Sequence, residues 1–66
     1  MWIARCRDKS LMAFNTKPLQ DGFDYYVRRN YDLEEFTDYG VELPTWADIN
    51  LIGKHIDFDD GPIEIN

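Results

Sequence analysis

"WIARCRDKSLMAFN", residues 2–15, decides how the rest of this chain is read. With a period of two, Trp2, Ala4 and Cys6 share one face, and Ile3, Arg5 and Arg7 share the other. "RDKS" at 7–10 has turn chemistry. "LMAFN" then resumes as a short apolar segment with Met12 and Phe14 on one side. The stretch predicts a β-hairpin with strands over 2–6 and 11–15.

Working outward, "KP" at 17–18 breaks the second strand, because proline cannot donate to a ladder. "QDG" at 20–22 is a turn signal. "FDYYVRR" at 23–29 predicts a third strand, with Phe23, Tyr25 and Val27 on one face and Asp24, Tyr26 and Arg28 on the other. The period changes in "NYDLEEFTDYG" at 30–40, where Leu33, Phe36 and Tyr39 recur every third residue. Asp32 as cap, Glu35 as its capping-box partner and Gly40 as stop predict one or two helical turns.

"VEL" at 41–43 is a short strand candidate before Pro44. "TWADINLIG" at 45–53 predicts a second helix, capped by Thr45 and stopped by Gly53, with Trp46, Ile49 and Ile52 as its buried stripe, although the β-rich "INLI" at 49–52 also suits an extended strand. The ending "IDFDDGPIEIN" predicts a terminal hairpin around Asp60–Gly61. Ile56, Phe58, Ile63 and Ile65 face inward there, and His55, Asp57, Asp59 and Glu64 face outward. The expected architecture is α+β: a small antiparallel sheet of four to five short strands with one or two short helices. Residues 1–66 read as a single compact domain.

Size restricts what such a domain can be. At 66 residues it lies near the lower limit for unaided folding. Cys6 is the only cysteine, so no disulfide forms within the chain, and Cys6 with His55 makes too few soft ligands for a usual zinc site. Two Trp, four Tyr and four Phe must supply much of the buried area. The start lacks the apolar core of a signal peptide, and no apolar run is long enough to span a membrane. Together with the lone cysteine, this points to a reducing cytoplasm.

The charge of −6 is unevenly placed. Residues 1–33 carry six basic and four acidic groups, whereas residues 34–66 carry nine acidic groups and one base, Lys54. That balance argues against general nucleic-acid binding, which needs clustered Lys and Arg. Arg5, Arg7, Arg28 and Arg29 with Tyr25, Tyr26 and Tyr31 suggest a base-stacking platform, but only Tyr26 shares a face with Arg28. The simpler expectation is that these arginines pair with acidic strand residues or with Asp24.

Other chemistry is weakly supported. As a calcium loop beginning at Asp57, the ending places Gly61 one position early and lacks the closing glutamate. Asp57 and Asp59, about 6.6 Å apart along a strand, show the spacing of any solvated strand of that pattern. Cys6 reads as a buried thiol and His55 as a solvent-facing strand residue. No phosphate loop, catalytic constellation, metal spacing or cofactor signature is present in the sequence, so the expectation is a protein that is not an enzyme.

"MWIAR" at 1–5, Leu11, Phe14, "KP" at 17–18 and "PIEI" at 62–65 resemble a group of short proteins encoded in bacteria and their phages or prophages. The likeness covers both ends of the chain and little of its middle. Cys6 stands where the group has an acidic residue, and "RDKS" lacks the group's turn glycine. The resemblance implies a small phage-type protein in the cytoplasm of a bacterial host cell, and no reaction. Phage proteins of this size and acidity include many inhibitors of host machinery.

The combined expectation is an acidic, non-enzymatic binding protein, such as an inhibitor of a host nucleic-acid-binding or defence protein. Its partner would be a protein with a basic surface, without direct nucleic-acid contact. The residues expected to meet it are Glu34, Glu35, Asp38, Asp57, Asp59, Asp60 and Glu64. The alternative is a self-associating structural protein, a homodimer joined through sheet edges.

Overall fold

The computed structural model describes residues 1–31 and 34–66. The hairpin at the start is present: β1 (Trp2–Arg5) pairs antiparallel with β2 (Leu11–Phe14), with Trp2 opposite Phe14 and Arg5 opposite Leu11. The turn between them places Lys9 at φ 76°, the left-handed conformation that usually selects glycine. Local bonds hold it there. Asp8 accepts hydrogen bonds from the backbone N–H and the hydroxyl of Ser10, and the N–H of Lys9 donates to the carbonyl of Cys6.

After Pro18 the chain forms β3 (Leu19–Asp21), a short strand that the sequence reading did not anticipate. It turns through Gly22 and Phe23 into β4 (Asp24–Tyr31). β5 (Glu34–Asp38) pairs with the far half of β4, giving a three-stranded sheet in the order β3-β4-β5. β6 (Val41–Leu43) pairs with β2, as the "VEL" reading expected of a short strand. α1 (Ala47–Ile52) follows, then a single 3-10 turn at Phe58–Asp60 and β7 (Ile63–Glu64). β7 pairs with β1, so the second sheet has the order β6-β2-β1-β7. The protein is therefore mostly antiparallel β, with one short helix, rather than an even α+β mixture.

Both faces of β1 are covered. Ala4, Cys6 and Phe14 pack with Tyr25, and Trp2, Met12, Val27 and Phe58 close around them. On the opposite face Ile3, Leu11 and Ile56 pack together, enclosed by residues that include Leu43, Ala47, Ile52 and Ile63. The three-stranded sheet thus covers one side through Tyr25 and Val27, while α1 and the C-terminal segment cover the other. The faces read from the alternation of residues 2–6 and 11–15 are the faces observed.

Three expectations fail. Residues 34–38 form a strand, not the end of a helix; Asp32 and Leu33, the expected cap and first stripe residue, lie outside the described residues. A helix of one or two turns needs a buried stripe to hold it, and Phe36 and Tyr39 are exposed. The strand instead gains a ladder with β4 and two cross-strand ion pairs, Arg28–Glu35 and Arg29–Asp38, each at 2.8 Å.

The helix after Pro44 exists and stops at Gly53, whose φ of 75° and N–H bond to the Ile49 carbonyl make the expected left-handed end. Thr45 is not its cap, however; the N-cap position falls on Trp46 and carries no side-chain bond. The buried side is also different. Trp46 is 60% and Ile49 49% exposed, while Ala47, Asp48 and Ile52 face the core.

The terminal hairpin is absent. Residues 56–59 make no strand, Phe58–Asp60 forms the 3-10 turn, and β7 takes β1 as its partner. Ile56 and Phe58, expected to face the same way, enter opposite clusters. In a flat strand these two residues, two positions apart, would share a face; the 3-10 turn that begins at Phe58 lets them part.

Gly40 turns the chain from β5 to β6 at φ 83°, where an added Cβ would lie 2.6 Å from the Ala13 carbonyl and 2.8 Å from the Phe14 ring. Gly40→Ala should cost roughly 3 kcal/mol, combining left-handed strain with a backbone clash. Gly53→Ala, at a similar φ but in open space, should cost only about 1 kcal/mol. Thermal or urea denaturation of the two variants measures the difference directly.

Candidate functional site

Arg5 is 4% exposed and Asp48 is fully buried, and their side chains meet at 2.7 Å. Alternation carries Arg5 to the same face of β1 as Ile3, beneath α1. Its Nη2 donates to Asp48 Oδ2 and to the carbonyl of Thr45 at 2.9 Å. Its Nη1 donates to the carbonyl of Lys9 at 2.9 Å, and its Nε to that of Ile56 at 3.1 Å. Asp48 in turn accepts the backbone N–H groups of Ile56 and Ile49, both at 2.9 Å. Burial alone would push the Asp48 carboxyl up. The Ile56 N–H, the Arg5 guanidinium and the Ile49 N–H outweigh it, so the group lies below its ordinary 3.8.

The network reaches the surface through His55. Its Nδ1 lies 3.1 Å from Asp48 Oδ2 and its Nε2 lies 2.9 Å from Asp57 Oδ1. His55 is solvent-facing, as expected, but it sits between α1 and the 3-10 turn and not on a strand. From Asp57 the chain enters that turn through a capping box. The Asp57 carboxylate accepts the N–H of Asp60, and Asp60 Oδ2 accepts the N–H of Asp57 at 2.7 Å. The Tyr25 hydroxyl donates to the Phe58 carbonyl at 2.9 Å, and the two rings lie 5.6 Å apart. The turn is thereby tied to the three-stranded sheet as well as to α1. Burial, with smaller contributions from Cys6 and Asp59, pushes the Tyr25 hydroxyl up.

The seven expected contact residues fall on three elements. Glu34, Glu35 and Asp38 lie on β5, Asp57, Asp59 and Asp60 at the 3-10 turn, and Glu64 on β7. Glu35 is paired with Arg28, and Asp38 with Arg29 together with the Gly40 N–H, while Asp57 and Asp60 are engaged only by the capping box and, for Asp57, by His55. The Arg29 bond and that N–H hold the Asp38 carboxyl below its usual range. Arg28 and Arg29 thus pair with acids of the neighbouring strand, the simpler of the two roles considered for the arginines. Asp57, Asp59 and Asp60 are the group that the fold brings together.

β5 is the outer strand of its sheet. A two-fold antiparallel pairing of two such strands centred on Phe36 would set Glu34 opposite Asp38 twice. Like charges directly opposite destabilise a ladder, so this edge is poorly suited to self-pairing in that register.

The sequence reading missed the Arg5–Asp48 pair. Its signal was an arginine flanked by Ile3, Ala4 and Cys6 in the most apolar strand, where a charge requires a buried partner. No protein-family model matches this chain, and no curated protein or solved structure matches it either.

Asp48→Asn leaves the Arg5 charge buried without its counter-ion and should cost about 3–5 kcal/mol in urea unfolding. The same carboxylate makes stability depend on pH. Because its folded-state pKa is depressed, its contribution is present above the unfolded value of 3.8 and is lost as pH falls through the lower folded value. Acid titration of stability should therefore fall less steeply below that point in Asp48→Asn than in the parent.

Proposed function

We propose that this chain is a small non-enzymatic binding protein that presents the acidic turn 57–60 to a basic surface on another protein. The observation that carries this reading is the capping box. It fixes two carboxylates on one turn while Asp59, between them, stays exposed. Ile56 and Phe58 anchor the turn in both apolar clusters. A turn already ordered in the free protein loses little conformational entropy on binding. Its carboxylates act on a basic partner by steering encounter and fixing orientation.

The net charge of −6 supports the same reading, since it remains after the ion pairs of Arg5, Arg28 and Arg29 are formed. Combined with the resemblance of its two ends to short phage-type proteins, it favours an inhibitor of a host protein whose own ligand is a nucleic acid. The acidic turn would there occupy a groove built for phosphate. Among the described residues no helix is long and apolar enough to cross a membrane.

Asp59 and Glu64 are the residues to change, because neither carboxylate makes a hydrogen bond or ion pair with a described residue. Asp59→Asn with Glu64→Gln should leave the fold intact and weaken partner binding several-fold, mainly by slowing association. Binding kinetics at low and high salt, with a basic partner captured from bacterial lysate, measure both effects. An affinity that ignores salt and the double substitution would count against the acidic turn as the contact surface.

A further inference from the structure

The β1–β2 turn and the 3-10 turn face each other across a cleft of about 650 Å³, a size typical of small-molecule sites. The reading above gives this cleft no role. Arg7 and Lys9 contribute to its wall from the first turn, and Asp57, Phe58 and Asp59 from the second. Two of its charged groups are already engaged: Arg5 by Asp48, and Asp57 by hydrogen bonds to His55 and within the capping box. Among the described residues, the side chains of Arg7 and Lys9 have no carboxylate partner and no hydrogen bond. One unmatched carboxylate, Asp59, stands with them. With histidine counted as neutral, Arg7 and Lys9 balance Asp57 and Asp59, so the cleft is locally neutral on a protein whose total is −6.

Arg7 is also held in position. Its backbone N–H donates to the Phe23 carbonyl at 2.9 Å. Its guanidinium lies 4.7 Å from the centre of the Phe58 ring and 5.4 Å from that of Phe23. Neither contact is a hydrogen bond, so the guanidinium N–H donors keep no acceptor among the described residues. A fixed fork of donors at the wall of a partly apolar cleft matches a planar carboxylate.

We propose that this cleft binds a small monocarboxylate, held by the Arg7 fork and the Lys9 ammonium, with its apolar body against Phe58. A single negative charge meets the two cations that have no carboxylate partner among the described residues. A phosphate dianion brings a second negative charge toward Asp57 and Asp59, so the carboxylate is the better match. The cleft shares Asp57 and Asp59 with the acidic turn, but the contacts of Arg7 and Lys9 do not rest on the partner proposed for that turn.

Benzoate titrated into isotope-labelled protein and followed by NMR tests the assignment, with benzylammonium and inorganic phosphate as the other probes. Benzoate should shift the Arg7 Nε–H and Lys9 signals saturably. Arg7→Gln should weaken it about tenfold, the loss of a charge-assisted fork, and Asp59→Asn should tighten it. If Arg7→Gln fails to fold, Lys9→Gln on the exposed turn must show a loss in the same direction. The proposal is overturned if benzoate gives no saturable shift, if neither substitution weakens it, or if benzylammonium binds equally well. Tighter binding of phosphate than of benzoate overturns the choice of a carboxylate.

Discussion

The buried pair of Arg5 and Asp48 is the constraint on which the rest of the arrangement depends. α1 has six residues and cannot hold its shape alone in water. It is placed by Asp48 at one end of the pair and by Ala47 and Ile52 in the apolar cluster beside it. Arg5 distributes its remaining donors to three carbonyls, at Lys9, Thr45 and Ile56. One guanidinium therefore joins β1, its following turn, the entry to the helix and the exit from it. Burying two charges costs desolvation energy, which the pair offsets only because each partner has further hydrogen bonds.

The functional surfaces follow from that junction. With Ile56 bonded to both Arg5 and Asp48, His55 lies over the junction and Asp57 begins the 3-10 turn at a fixed place. Tyr25 holds the middle of the same turn from the opposite sheet. The acidic turn and the wall of the neighbouring cleft are thus two sides of one anchored segment. Small proteins often gain such rigidity from disulfides or metals. Here a charged hydrogen-bond hub and a strand, β1, covered on both faces contribute it.

Several features were legible in the residues. The two-residue alternation of β1 and β2 placed Trp2, Ala4 and Cys6 opposite Ile3 and Arg5, and those faces hold because every alternate position has a cluster to enter. Gly53 was legible as a helix end, since few other residues adopt its φ cheaply. The three-residue spacing of Leu33, Phe36 and Tyr39 misled, because periodicity reports burial only where something lies opposite to bury against. Phe36 on β5 and Tyr39 just past its end remain exposed, and the strand's ladder and ion pairs outweigh local helix preference.

The sequence by itself determined the opening hairpin, the buried thiol of Cys6, the late acidic excess and the short helix after Pro44. These depend on local spacing, or on composition, which no packing alters. Tertiary structure alone decided that Asp48 enters the core while Trp46 and Ile49 stay outside, because the charge on Arg5 was waiting there. It also decided that β7 pairs with β1, which freed residues 56–60 to turn and send Ile56 and Phe58 to opposite faces. Partners so distant along the chain leave no periodic trace between them, so only the assembled sheet could select them.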